Sequence, residues 1–180
     1  MKFFVFCGTT GVGKTTIIRR LVRAIPSCKY VTPYINRPPR EGENERISVT
    51  REEFDRMEKA HKFTVVNQLY GNKYGTPEGL IDGILNEGNT PLLDFPLKHI
   101  DKLKPWKTFC YYVLPSSYEE IKRRLAERGQ KERIEAAIAE IRWFLRDGFK
   151  SYSSFIDKII LNDDVERVLV ETIEDIKTSS

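Results

Sequence analysis

Gly8-Thr9-Thr10-Gly11-Val12-Gly13-Lys14-Thr15 follows the apolar run Phe3-Phe4-Val5-Phe6-Cys7 and leads into Thr16-Ile17-Ile18-Arg19-Arg20-Leu21-Val22. Strand, glycine-rich loop, helix is the context in which G-x-x-x-x-G-K-[ST] reads as a phosphate-binding loop. The glycines let the backbone curl until successive N–H groups converge on one anion, and the new helix adds its positive end at the same point. In that reading Lys14 reaches the β- and γ-phosphates of a nucleoside triphosphate, the Thr15 hydroxyl ligates Mg²⁺, and Thr16 completes the ATP-binding set. A glycine-rich turn that merely joins strand to helix is the bland alternative, and the correct flanks on both sides argue against it.

The 180 residues suffice for one domain with a sizeable core. With 30 basic against 26 acidic residues the chain carries +4, which suits a protein that handles small phosphorylated molecules. No block of like charge or basic–aromatic tract suggests nucleic acid as a partner. Cys7, Cys28 and Cys110 show no C-x-x-C spacing and read as reduced thiols of a cytoplasmic protein. No segment is apolar for long enough to span a membrane, and the short apolar start runs straight into the loop, which argues against a signal peptide.

Along the chain, Thr15 to Ala24 reads as a helix and Lys29 to Asn36 as a second strand. Asn36-Arg37-Pro38-Pro39-Arg40-Glu41-Gly42-Glu43-Asn44-Glu45-Arg46 holds prolines and a glycine that exclude a helix or a central strand. Arg37, Arg40 and Arg46 there could clamp a phosphate dianion through guanidinium forks, or form a charged loop neutralised by its own glutamates. Arg46 to Thr50 reads as a short strand, and Thr50-Arg51-Glu52-Glu53 is a capping box that opens a helix to Ala60. A strand from Lys62 to Tyr70 turns at Gly71-Asn72 into Lys73-Tyr74-Gly75. Pro77 suits the first turn of a helix that Gly88 stops. Pro91 to Phe95 reads as a buried strand that carries Asp94 at its end, a residue able either to help hold Mg²⁺ or to cap the next helix. Further expectations are a strand over Thr108 to Leu114, a helix from the Ser117 capping box to Arg128, and a helix over Lys131 to Leu145 ended by Gly148. A strand over Asp157 to Leu161, a last helix and a frayed tail from Lys177 to Ser180 complete the chain. His61 and His99 have no plausible catalytic partners.

Strands alternating with helices around one phosphate loop predict an α/β fold of the P-loop NTPase type: a mostly parallel sheet with helices on both faces and the ligand beyond the strands' C-terminal ends. A small strand-rich insertion interrupts the alternation. The expected organisation is a single domain over 1–180, with core segments 1–33, 88–125 and 143–180, an acceptor-binding insertion at 34–87 and a helical lid at 126–142.

Several further stretches, in order along nearly the whole chain, resemble the guanylate kinase family. Asn36-Arg37-Pro38-Pro39-Arg40-Glu41-Gly42-Glu43 is similar to the family's T-R-x-P-R-x-G-E segment, and Thr50-Arg51-Glu52-Glu53-Phe54 to its S-x-x-E-F helix start. Gly71-Asn72-Lys73-Tyr74-Gly75-Thr76, Leu92-Leu93-Asp94, Arg124-Leu125-Ala126-Glu127-Arg128-Gly129 and Asn162-Asp163-Asp164 match in turn. The resemblance implies that Arg37, Arg40 and Tyr74 bind the acceptor's phosphate, that Arg128 and Arg142 neutralise the transferring phosphoryl group from the lid, and that Asn162 lies by the adenine of ATP. It implies ATP as donor, Mg²⁺ held by Thr15 and Asp94, and catalysis by positioning and charge neutralisation without a strong general base.

The departures concern the acceptor. Where guanine-selecting members have Ser, Glu and a second Asp, this chain has Pro33, Val65 and Pro96, so that only Thr76 of the guanine-reading set remains; Asn67 or Gln68 could partly substitute under a shifted register. Arg46 stands where the clamp has a tyrosine, after a shortened loop, and Ala137 where the lid has an arginine. The chain is also similar to ribose 1,5-bisphosphate phosphokinase, a guanylate-kinase relative, in Tyr34-Ile35-Asn36-Arg37 and the short loop through Asn44, Arg46 and Ile47. Three functions are then open: a kinase of a GMP-like nucleotide, the same chemistry on a phosphorylated sugar, or a non-catalytic module like the guanylate-kinase-like domains of scaffolds. The intact Lys14, Thr15 and Arg128 argue against the third.

Overall fold

The computed structural model describes residues 2–39, 46–69 and 71–179; Arg40 and Tyr70 lie outside the described residues. The run expected as the first strand is β1 (Phe3–Cys7), all five residues buried. It lies at the centre of a five-stranded parallel sheet in the order β2 (Cys28–Tyr30), β7 (Thr90–Asp94), β1, β8 (Thr108–Pro115), β9 (Lys158–Asn162). A central parallel strand is covered on both faces, which is why β1 is apolar throughout rather than alternating.

Phe4 and Phe6 point to one face, where they join Ile17, Ile18 and Leu21 of α1 (Lys14–Ala24), Ile121 and Leu125 of α4 (Tyr118–Glu127), Ile141 of α5 (Ile134–Trp143) and Val168 of α7 (Val165–Ser179). Phe3, Val5 and Cys7 face the opposite cluster, formed with Ile81 and Ile84 of α3 (Leu80–Asn86) and with Leu97, Ile100 and Leu103 of a 3₁₀ segment. Each fully buried Phe or Leu side chain here contributes ~1.5–3 kcal/mol. The ring of Phe6 stacks on Tyr111 at 4.9 Å between centroids, tying β1 to β8.

A second sheet, mostly antiparallel, runs in the order β4 (Ile47–Ser48), β3 (Tyr34–Ile35), β6 (Asn72–Pro77), β5 (Phe63–Leu69). With α2 (Arg51–Lys59) it occupies the chain between β2 and α3. The capping residues act as their pattern predicts: Thr50 accepts from the Glu53 N–H and Ser117 from the Glu120 N–H.

Four local expectations are corrected. The single strand over Lys29 to Asn36 is two strands in two sheets, because the Val31 N–H makes the last bond to the core sheet, at Leu92 O, and Pro33 has no N–H to continue the ladder. Pro77 ends β6 instead of opening a helix; Phe63 pairs with it, and Gly79 (φ 69°) turns the chain into α3. Gly148 does not stop the lid-side helix, which passes through it as a π-turn (Phe144–Gly148) into α6 (Phe149–Tyr152). Gly148 is helical at φ −65°, and an added Cβ would sit 3.0 Å from the Trp143 indole, so its small size serves packing rather than termination. The C-terminal residues expected to fray belong to α7 through Ser179.

Candidate active site

The loop after β1 opens at the C-terminal edge of the core sheet, into a cleft of about 880 Å³. Its backbone has the form that the glycines permit: Gly8, Gly11 and Gly13 lie at φ 130°, 84° and 102°. A Cβ on Gly8 would lie 2.5 Å from Val113 O, and one on Gly13 would strike the Asn162 side chain. Gly13 precedes α1 with no side-chain cap, and no acidic residue stands in the first turn. The orphan N–H groups of this helix start are therefore available to an anion, unlike those of α2 and α4.

Lys14 arches over its own loop, donating to Gly8 O (2.7 Å) and Thr9 O (2.8 Å). Its ammonium lies 3.7 Å from Asp94 Oδ1, at the end of β7. The Thr15 hydroxyl stands 3.5 Å from Asp94 Oδ2, and the Arg46 guanidinium 3.7 Å from that same oxygen. Arg46 also stacks over the Tyr74 ring, 5.6 Å from its centroid. One carboxylate thus meets the lysine and threonine of the phosphate loop and the guanidinium of Arg46, the residue just before β4.

Of the expected residues, Gly8, Thr10, Gly11, Gly13, Lys14, Thr15 and Thr16 line the cleft, as do Arg37, Arg46, Tyr74, Thr76, Asp94 and Arg128. Thr9 and Val12 are buried behind the loop and serve it through their backbones. Arg40 lies outside the described residues.

Two expectations fall elsewhere. Asn162 does not line the cleft; it is buried and donates its amide to Val12 O (2.7 Å), bracing the loop from beneath. Arg142 is exposed, with its guanidinium over the Tyr118 ring at 5.5 Å. Ala137, Ile138 and Ile141 define the buried stripe of α5, so the next position falls on its outer side. Arg133, immediately before α5, lines the cleft instead. It stands five residues beyond Arg128 in the same segment, a spacing that could have nominated it.

Arg124 is a second brace, one that its position in the sequence does not announce. Its Nη1 reaches Val12 O at 3.2 Å while its Nε binds Glu120 at 2.6 Å. Arg123 first, then Arg124, hold the Glu120 carboxyl down at about 2, so the brace stays charged across ordinary pH. Asn162→Ala removes one of the two donors on Val12 O. About a tenfold rise in the Kd for ATP is expected, with the acceptor KM unmoved. Calorimetric titration with ATP measures it, and an unchanged Kd would show that Arg124 alone holds the loop.

Among the described residues no histidine, cysteine or serine lines the cleft. Burial pushes the Cys7 thiol well up, aided by its contact with Cys110 at 3.7 Å, so it stays protonated and inert beside the loop. The charged groups at the centre of the cleft are cations arranged around one carboxylate. Hard oxygen donors, Thr15 Oγ and an Asp94 oxygen, suit Mg²⁺, which binds through one or two protein oxygens plus substrate phosphates. Among the described residues no group of three His, Cys, Asp or Glu side chains is placed to hold a metal ion.

A parallel sheet whose central strand feeds such a loop, facing arginines across a cleft, defines a P-loop phosphotransferase. Comparison with known proteins narrows the class. The family model for guanylate kinase matches residues 1–178. The guanylate kinase of Symbiobacterium thermophilum is 30% identical over 175 residues, covering 93% of this chain and 80% of that one. That of a Synechococcus strain is 32% identical over 175 residues, covering 94% and 79%. The crystal structure of guanylate kinase from Anaplasma phagocytophilum superposes with a TM-score of 0.74 at 20% identity, over 99% of this chain and 85% of that one, and so shares the fold. The chain belongs to the guanylate kinase family: it is a nucleotide-binding kinase.

Proposed function

We propose that this kinase transfers the γ-phosphoryl group of ATP, in the presence of Mg²⁺, to the phosphate of a nucleoside monophosphate, GMP or a close relative. The observation that carries the proposal is Asp94 standing between Lys14 and Arg46, 3.7 Å from each, where the donor loop meets the second sheet. The relatives quoted above bear the name guanylate kinase, which favours a guanine nucleotide as acceptor.

In this reading the loop N–H groups and Lys14 hold the donor's phosphates. Arg37, Arg46 and Tyr74 hold the acceptor's phosphate, and Arg128 and Arg133 approach from the lid. Thr15 and Asp94 would hold Mg²⁺, which when bound neutralises charge on the donor's phosphates. An acceptor phosphate oxygen attacks the γ-phosphorus, the bond to the bridging oxygen breaks, and ADP leaves with the electron pair. The nucleophile is already an anion, so no side chain needs to take a proton. The work left to the protein is alignment and charge neutralisation, in a cleft where ordered cations act more strongly than in water.

Residues 34–87 then serve as the acceptor-binding insertion and 126–142 as the lid of one domain. Three buried free thiols suit the reducing cytoplasm as its location. Among the described residues no helix is long and apolar enough to cross a membrane.

A second reading keeps the chemistry and changes the acceptor to a phosphorylated sugar. Its support is that Pro33 and Pro96 line the cleft at positions where guanine-selecting members carry hydrogen-bonding side chains. An ADP-release assay across GMP, dGMP, AMP, UMP, CMP and ribose 1,5-bisphosphate separates the readings. GMP turnover is expected; turnover of the sugar phosphate alone would replace the first reading by the second. Arg37→Ala is expected to raise the acceptor KM about 10- to 100-fold and to lower kcat as well, because a phosphate held loosely is also misaligned. A variant with wild-type acceptor KM would remove Arg37 from the clamp.

A further inference from the structure

Along β5 the side chains alternate: Thr64 and Gln68 are exposed, while Val65 and Asn67 are buried. Val65, Asn67 and Leu69 therefore share one face. Val65 sinks into the apolar cluster with Ile81, Ile84 and Phe95, and takes no part in the cleft wall. Asn67 and Leu69 do line the cleft. Across the ladder Asn67 lies opposite Tyr74, and Val65 opposite Thr76. The carboxamide is thus placed beside two residues of the acceptor site.

Asn67 is 5% exposed, and its Oδ1 has no hydrogen-bond partner among the described residues. A buried amide oxygen left without a donor is costly, and folded proteins rarely retain one without a use. Phosphate cannot satisfy it, because both are acceptors. The ligand that completes it must bring an N–H or O–H. Rotation about Cβ–Cγ exchanges the amide's oxygen and NH₂, so the group pairs with any edge that offers a donor next to an acceptor, adenine's included; the choice of a 6-oxopurine comes from the GMP-like acceptor proposed above.

We infer that Asn67 is the base-reading residue of the acceptor site, pairing with the O6/N1–H edge of a 6-oxopurine and leaving position 2 of the ring unread. This deepens the nucleotide-acceptor reading and rests on it. The second half of the statement comes from charge. A 2-amino group is best read by an acceptor such as a carboxylate. Among the described residues the carboxylates that line the cleft are Asp94, which already faces Lys14, Thr15 and Arg46, and Glu127, Glu132 and Glu140, which belong to the segment read above as the lid and not to the second sheet. The site therefore treats hypoxanthine and guanine alike.

Steady-state kinetics at saturating ATP with GMP, IMP and AMP test this on the wild type, Asn67→Asp and Asn67→Leu. For the wild type, GMP and IMP are expected to agree in kcat/KM within about fivefold, both above AMP, since a missing donor with no partner in the site costs little. Asn67→Leu is expected to lose about 10- to 100-fold on both, mainly in KM, the worth of a bidentate pair. Asn67→Asp, nearly the same shape, offers two acceptors; these suit N1–H with the 2-amino group and repel O6. The GMP-to-IMP ratio is then expected to rise at least about tenfold, a change that a packing role for Asn67 would not produce. An unchanged ATP Kd by calorimetry in each variant confirms a folded donor site. The inference is overturned by wild-type KM in Asn67→Leu, by an unmoved ratio in Asn67→Asp, or by AMP as the preferred acceptor. Each of these leaves the kinase reading standing. A wild type that phosphorylates no nucleotide at all overturns both.

Discussion

Lys14→Ala is expected to lower kcat for phosphoryl transfer by about 10³-fold or more on any acceptor. The side chain is 10% exposed, and its ammonium is held by Gly8 O and Thr9 O at the rim of the loop, 3.7 Å from Asp94. No other lysine lines the cleft among the described residues. As charge shifts toward the leaving oxygen, a cation fixed there stabilises the transition state more than the bound ATP, so the loss should fall on kcat more than on the ATP Kd. The fold should survive, because the carbonyls that Lys14 meets face the cleft and water can replace it. The check is single-turnover and steady-state ADP release alongside a thermal melt. Activity within tenfold of wild type in a folded variant would overturn the assignment of donor phosphates to this loop.

The parts of this molecule that were legible in the sequence are those in which local chemistry and global position agree. Thr50 and Ser117 cap the helices that their patterns announce, and the apolar run before Gly8 is the central strand. The phosphate loop could be read because three positive-φ glycines, a lysine and a threonine are each demanded by the same backbone geometry. What could not be read depends on partners distant in the chain. The resemblance puts Asn162 by the adenine of ATP; its amide donates to Val12 O, 150 residues away, and no local signal carries that bond. The break within Lys29 to Asn36 required knowing that Val31 bonds to Leu92 and that the chain then changes sheets. Pro77 and Gly148 misled for a common reason. Proline tolerates a strand end and glycine tolerates a helix, so neither forces the boundary with which it is usually associated.

The acceptor site lies between these cases. Arg37, Arg40 and Arg46 stand out in the sequence as a cluster, but whether they neutralise their own loop or face a ligand depends on the fold. Arg46 stacks on Tyr74 and its guanidinium stands 3.7 Å from Asp94. Counting along the chain put Val65 at the guanine-reading position. The register sends that side chain into the core and brings Asn67 to the wall. Val65 and Asn67 share a face of β5, so alternation does not separate them; position along the strand does, with Val65 against Ile81, Ile84 and Phe95 and Asn67 reaching the cleft.

Asp94→Asn should produce the second large effect, a fall in kcat of about 10²- to 10³-fold with little change in stability. Asn has the size of Asp, and the residue is the last of β7, 17% exposed, so packing is not at issue. What changes is charge. In the wild type one carboxylate offsets Lys14 and Arg46, each 3.7 Å away, and holds the Thr15 hydroxyl in reach at 3.5 Å. A neutral amide leaves two cations facing each other across the point where the proposed donor and acceptor phosphates would meet. The guanidinium, on the longer and freer side chain, should move first, so alignment of the acceptor suffers along with metal affinity. Two readouts report this. The Mg²⁺ concentration for half-maximal activity should rise about tenfold, because an amide oxygen is a weaker ligand than a carboxylate for a hard cation. The acceptor KM should also rise, which a purely metal-holding Asp94 would not cause. Mg²⁺ titrations at several acceptor concentrations separate the two contributions. Full recovery of kcat at high Mg²⁺ with wild-type acceptor KM would confine Asp94 to the metal and remove it from the junction of the two substrates.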